Sequence, residues 1–234
     1  MSAAADYSSH YDPDCDFDRW YSTFTARRLV ARIPLAARIL ELGSATGAIT
    51  QAIAAPGRSI VCVERAAAYV ALARQRALPG VTLHHSTIEA FDDPVPFDCI
   101  LAINVLHELP DQAAALRRIA RLLAPGGRVH VTLPNPHSLH RLSALGAGLI
   151  DDPGALSDRG RSLHTLRLQA ADAVAEAMRQ AGLQEVWREA IMPKPLPNGL
   201  MAMLSDELIE AWDALSPHLP GHGALTYFGF THAE

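Results

Sequence analysis

The sequence predicts an α/β domain on a mostly parallel, doubly wound sheet. Between residues 36 and 133, short apolar runs of strand length alternate with helix-length segments, and Gly or Pro stands where a helix must stop. The first run, residues 36–42, is short enough for a buried strand. It opens into Gly43-Ser44-Ala45-Thr46-Gly47, whose glycines permit a tight turn and close backbone approach. Residues 48–55 suit a helix stopped by Pro56-Gly57, and residues 59–63 form the second strand. A helix over about 66–77, a strand over 81–85, and a strand over 97–103 ending at Asn104 follow. A helix over 112–123 then stops at Ala124-Pro125-Gly126-Gly127, ahead of a fifth strand at 128–133.

The remaining chain decorates this core. A helix over 170–181 ends at Gly182, and residues 183–190 and 224–230 read as the last two strands. Between those strands, residues 192–199 form a rigid, turn-rich connector, followed by a helix over 205–215 with Ser205 as its cap. An amphipathic helix over about 17–33 precedes the first strand, in a stretch holding Tyr7, His10, Tyr11, Phe17, Trp20, Tyr21 and Phe24. Residues 134–169 exceed the usual loop length and read as a lid carrying a short helix at 138–147. The expected organisation is one domain over 1–234, with an N-terminal cap over 1–35 and a lid insertion over 134–169.

Composition narrows the function classes. The chain has 234 residues, 49% of them hydrophobic and 19% charged, enough for a sizeable single core. Its net charge is −5 and its pI about 6.1, without a basic stripe interleaved with aromatics, so no nucleic-acid partner is expected. No run reaches the length of a membrane span, and the polar, acidic start lacks the pattern of a signal peptide. Cys62 and Cys99 fall inside strands, as small buried residues of a cytoplasmic protein do. Eleven histidines show no metal-ligand spacing, and His84 and His85 point to opposite faces of one strand, so no metal is expected.

Spacing points to a nucleotide-like cofactor. Glu64 ends the second strand, where a dinucleotide-binding unit places the acid that takes ribose hydroxyls. A nicotinamide enzyme is the main rival, but it needs glycines spaced G-x-G-x-x-G, and here two glycines lie four apart. Four blocks over residues 38–133 then resemble the class I S-adenosylmethionine-dependent methyltransferases, in particular small-molecule enzymes of bacterial biosynthesis. They are Leu40-Glu41-Leu42-Gly43-Ser44-Ala45-Thr46-Gly47, Val63-Glu64, the run from Phe97 through Asn104-Val105-Leu106-His107 to Leu109, and Leu122-Leu123-Ala124-Pro125-Gly126-Gly127-Arg128.

The resemblance implies a Rossmann-like seven-stranded sheet in the order 3-2-1-4-5-7-6 with strand 7 antiparallel. It implies S-adenosylmethionine as cofactor and S-adenosylhomocysteine as product. Glu41, Gly43, Ala45 and Gly47 would hold the methionyl part, Glu64 and its neighbour Arg65 the ribose side, and Thr87 and Ile88 the adenine. Asn104 and Val105 would pass beside the sulfonium. Ala45 replaces a usual glycine, and Thr87 a usual acid.

Two added segments should choose the acceptor. The N-terminal helix either caps the sheet or closes over the sulfonium with Tyr11, Trp20 and Tyr21. The lid gathers His137, His140, Arg141, Arg159, Arg161, His164 and Arg167, either as a solvated basic loop or for an anionic or hydroxylated small substrate. A Ser-Leu-His-Arg block at 138–141 resembles one that borders the acceptor pocket in this family, and Lys194 and Asn198 are further substrate candidates against a plain connector.

A hydroxyl acceptor calls for a general base, for which His140, His137 and then His107 and His164 are candidates. An acid acceptor would call instead for Arg141 or Arg167. The expected activity is methyl transfer to a small polar or anionic molecule in a biosynthetic tailoring step, most readily at a hydroxyl or acid oxygen, by a monomer or homodimer. The alternatives are N-methylation of a small amine and a cofactor-fold protein without catalysis. A protein or RNA substrate would favour an Asn-Pro-Pro-aromatic element where Asn104-Val105-Leu106-His107 stands.

Overall fold

The computed structural model describes residues 8 and 11–233. Tyr7 and His10, from the aromatic N-terminal stretch, lie outside the described residues. The elements run α1 (Arg19–Arg32), β1 (Arg38–Leu42), α2 (Ala48–Ile53), β2 (Ser59–Glu64), α3 (Ala67–Gln75), β3 (Val81–His85) and β4 (Phe97–Ile103). Then follow α4 (Gln112–Leu122), β5 (Leu123–Pro134), α5 (Leu139–Gly146), α6 (Asp158–Ser162), α7 (Ala171–Gln180), β6 (Leu183–Ile191), α8 (Asn198–Met201), α9 (Asp206–Ala214) and β7 (Leu225–His232). One seven-stranded sheet has the order β3-β2-β1-β4-β5-β7-β6. All pairs are parallel except those of β7, which is antiparallel to β5 and β6.

Alternation along the buried strands builds a core on each face. Leu40, Val61, Ile100 and Val129 turn one way, toward Ile119 of α4 and Met178 of α7. Ile39, Ile60, Cys99 and Leu101 turn the other way, toward Phe24 and Leu29 of α1 and Ile209 of α9. Arg28 secures α1 with a two-pronged ion pair to Asp213 at 2.9 Å, a geometry matched to the planar guanidinium.

Three differences from the sequence reading have local causes. The fifth strand begins at Leu123 rather than 128, because Phe97 pairs with Leu123 and Cys99 with Arg128, so the Ala124-Pro125-Gly126-Gly127 turn becomes an irregularity within β5. Helix α1 begins at Arg19 rather than 17. Asp18 stands at its N-cap but makes no capping bond, since its carboxylate is used elsewhere. Helices α6 and α8 span five and four residues, too short for an apolar period to declare them.

Where β6 pairs with β7, Gly229 stands opposite Trp187 and leaves space for its ring, which a Cβ on Gly229 would overlap. Gly229→Ala should therefore cost about 1–3 kcal/mol through overpacking, read as a lower denaturant midpoint with unchanged m-value.

Candidate functional site

A cavity of about 1080 Å³ opens beyond the carboxyl ends of β1, β2 and β4. The strand order reverses between β1 and β4, where an open α/β sheet leaves its ligand crevice. Gly43 has φ +72°, and a Cβ built on it would lie 2.9 Å from Val105 Cγ2, so the turn after β1 and the segment after β4 meet at van der Waals contact only without a side chain. Asn104 also adopts a positive φ, 51°, and its Oδ1 accepts from Thr132 Oγ1 at 3.2 Å.

The Glu64 carboxylate is fixed from two directions. One oxygen accepts from Ala45 N–H at 2.9 Å and the other from Ala66 N–H at 2.7 Å, joining the β1 turn to the end of β2. Both oxygens keep acceptor capacity toward the cavity that Glu64 lines. Glu41, buried beneath the same turn, accepts from Thr50 Oγ1 at 2.5 Å. Desolvation pushes its carboxyl up to about 7. Thr46 adds a buried Oγ1 without a hydrogen-bond partner among the described residues. Ser86, Thr87, Ile88 and Glu89 line the wall beside Glu64.

These residues fit the expected cofactor. A paired acceptor faces outward at Glu64, Thr46 offers an unsatisfied hydroxyl, and Gly43 and Val105 line the cavity in close contact with each other.

The opposite part of the cavity is assembled from three segments distant in sequence. Asp18 Oδ2 accepts from Tyr11 OH at 2.8 Å and Arg159 Nη2 at 2.9 Å, while Oδ1 accepts from Asn198 Nδ2 at 2.9 Å. Asn198 Oδ1 in turn accepts from Tyr21 OH at 2.9 Å and Lys194 Nζ at 2.6 Å. The N-terminal segment, the lid and the connector after β6 thus converge on one carboxylate. Burial near Asp18 drives the Tyr11 and Tyr21 phenols upward, so both act as hydrogen donors. Burial also lowers the Lys194 ammonium, to about 7.

The lid is pinned at both roots. Asn135 Nδ2 donates to the Gly221 and Gly223 carbonyls at 2.9 and 3.0 Å, and Leu166 N–H donates to the His107 carbonyl at 3.0 Å.

The cavity gathers most of the residues expected from the sequence: Glu41, Gly43, Ala45, Glu64, Arg65, Thr87, Ile88, Asn104 and Val105 with Tyr11, Tyr21, His107, His140, Arg141, Lys194 and Asn198. Five others stand apart. Trp20 stacks on Phe24 at 5.5 Å within the α1 core and lies outside the cavity lining. Gly47, at φ +83°, starts α2 and faces Ala73 and Arg76. His137 is exposed with its carbonyl near the His222 ring at 3.1 Å. His164 lies outside the cavity lining, at φ 56°. Arg167 donates to the carbonyls of Leu109 and Pro110.

The basic cluster of the lid is likewise spent on structure. Arg141 holds the Pro153 and Ala155 carbonyls, Arg159 pairs with Asp16 and Asp18, and Arg161 with Asp158.

Two histidines remain at the cavity, each with an Nδ1 lacking a partner among the described residues. Burial pushes His107 down to about 4. Burial, followed by the Lys194 and Arg141 charges, pushes His140 down to about 3. Both imidazoles are neutral near pH 7, well below the near-neutral pKa expected of a proton-accepting histidine. Asp18 was not singled out from sequence, because it falls inside the helix expected over about 17–33. Among the described residues, no cluster of three or more His, Cys, Asp or Glu side chains is placed to hold a metal.

Ala45, at φ 46°, occupies a conformation that disfavours a side chain by about 1–2 kcal/mol. Ala45→Gly relieves that strain but adds about 0.4–1 kcal/mol of unfolded-state entropy, so denaturation should show equal or slightly higher stability. Gly43→Ala should instead lower stability, since its Cβ meets Val105 at 2.9 Å.

The family model described as a methyltransferase domain matches residues 17–188. A trans-aconitate 2-methyltransferase of Methylobacterium nodulans is 37% identical over 132 residues, 54% of this chain and 51% of that protein. A ubiquinone biosynthesis O-methyltransferase of Xylella fastidiosa is 34% identical over 110 residues, 44% of this chain and 45% of that protein. The chain spans about half the length of these relatives. The solved N-methyltransferase NodS of Bradyrhizobium japonicum, in complex with S-adenosylhomocysteine, shares the fold with a TM-score of 0.58 at 19% identity, over 95% of this chain and 91% of that one. With the match covering most of its length and the site assembled at the sheet's reversal point, the chain belongs to the class I S-adenosylmethionine-dependent methyltransferase family.

Proposed function

We propose that this protein transfers the methyl group of S-adenosylmethionine to a hydroxyl oxygen of a small molecule with a largely apolar body. The observation that carries the reading is the Glu64 carboxylate, held by two backbone N–H groups and facing the same cavity as the lid. In this reading Glu64 takes the ribose hydroxyls, the turn from Gly43 to Thr46 takes the methionyl part, and Ile88 flanks the adenine. The bound cofactor supplies an electrophilic methyl group and a neutral leaving group.

The protein's own contribution is alignment and exclusion of water. In this reading the lid roots at Asn135 and Leu166 and its tie to Asp18 position the lid beside the reacting atoms. The acceptor end supports a hydroxyl more than an acid. Arg141 and Arg159 line it but are committed to carbonyls and to aspartates, whereas Ala144, Ile150, Leu156, Leu163 and Leu168 supply an apolar wall. One relative is named an O-methyltransferase of ubiquinone biosynthesis, which supports oxygen over nitrogen. The free, buried Cys62 and Cys99 support a reducing, cytoplasmic setting.

Glu64→Gln should weaken S-adenosylhomocysteine binding by about 10–100-fold, the worth of a charge-assisted hydrogen bond. Titration calorimetry checks this, with circular dichroism verifying that the variant folds. Unchanged affinity contradicts the cofactor placement.

A further inference from the structure

Of the twenty Lys and Arg side chains in the sequence, nineteen are arginine, and Lys194 is the single lysine. Arginine serves every ion pair found among the described residues. The lone lysine sits instead in the cavity, 2% exposed, and makes none of those ion pairs. A guanidinium cannot give up its proton, whereas a buried lysine amine readily does. The one position built with lysine is thus the one where a cation able to become neutral borders the site.

Its hydrogen bonds agree. Nζ donates to Asn198 Oδ1 at 2.6 Å and to the Leu196 carbonyl at 3.2 Å. Two donated bonds account for both N–H groups of a neutral amine and leave its lone pair free. An ammonium would carry a third N–H for which no acceptor stands among the described residues.

We propose that Lys194 is the catalytic base that removes the proton of the acceptor hydroxyl, an inference resting on the hydroxyl-methylation reading above. The acceptor O–H bond breaks and its proton forms a bond to the Nζ lone pair. The freed oxygen electron pair is then available to the incoming methyl group, and the ammonium returns the proton to solvent after the product leaves.

The groups facing Lys194 suit this exchange. Asp18 and Tyr21 come from the N-terminal segment, His140 from α5 and Arg159 from α6, with the Phe17 ring at 5.9 Å. Asp18 lies behind Asn198 and favours the ammonium once formed, whereas Arg159 and burial favour the neutral amine. The balance lets one nitrogen hold either state. His140 is the weaker base, because burial and the Arg141 charge oppose an imidazolium, as would Lys194 in its ammonium form.

A single lysine makes the test direct. Protein labelled with ε-13C-lysine, carrying a lysine-free tag and saturated with S-adenosylhomocysteine, gives one Cε resonance to follow between about pH 5 and 11. Its midpoint is expected near 7. In parallel, wild type is assayed for methyl transfer from S-adenosylmethionine to a panel of phenols and catechols. The acidic limb of kcat/KM should match the Cε midpoint. Lys194→Met and the permanently charged Lys194→Arg should each lower kcat by about 10²–10⁴-fold, with S-adenosylhomocysteine binding retained as proof of fold.

A Cε midpoint above 10 overturns the lysine's role and leaves methyl transfer standing. Activity retained by Lys194→Arg overturns it as well, since a purely structural cation survives that exchange. A midpoint near 7 with no methylated product from any phenol refutes the hydroxyl reading itself, and this inference with it.

Discussion

The two backbone N–H groups on Glu64 are the contact on which the site depends. The carboxylate at the end of β2 binds Ala45 in the turn after β1 and Ala66 at the start of α3, so the floor of the cavity is one hydrogen-bonded unit. Such charge-assisted bonds contribute roughly 1.5–3 kcal/mol each, enough to hold Ala45 in a conformation it disfavours. The strain is local, and it brings an N–H to the acid. Gly43 completes the unit by letting Val105 pack against the turn.

A second carboxylate organises the other half. Asp18 joins Tyr11, Arg159 and Asn198, hence the N-terminal segment, the lid and the connector after β6. None of these pieces belongs to the sheet, and none of them alone encloses a volume. Arg159 is partly solvated, so its ion pair is screened and the hub holds through several bonds together. The arrangement explains why lid arginines that suggest an anionic ligand in sequence are engaged in fastening the lid. A long connection with no packed core of its own needs such ties to keep one shape.

Much of the fold was legible because buried parallel strands are written as continuous apolar runs, as at Ile39–Leu40 and Ile100–Leu101, and because glycine marked their turns. That Gly43 and Glu64 would meet at one end of the sheet was equally legible, since they lie at fixed offsets from their strands. The acceptor side was not. Whether Arg141 binds a ligand or the Pro153 carbonyl depends on how the lid folds back, and local sequence does not encode that. Trp20 shows the same limit, because the side of α1 that faces the core depends on where the helix docks. Lys194 was visible as a substrate candidate, but its meaning emerged from its burial and from the nineteen arginines elsewhere.

Glu64 and the Gly43 turn are proposed as the cofactor floor of a cavity whose roof is fastened by Asp18. A crystal structure of the protein with S-adenosylhomocysteine tests it most directly. Both ribose hydroxyls are expected on the Glu64 carboxylate, with the Asp18 contacts to Arg159 and Asn198 intact above the sulfur. A ribose bound away from Glu64, or a sulfur directed away from the cavity lined by Lys194, contradicts it.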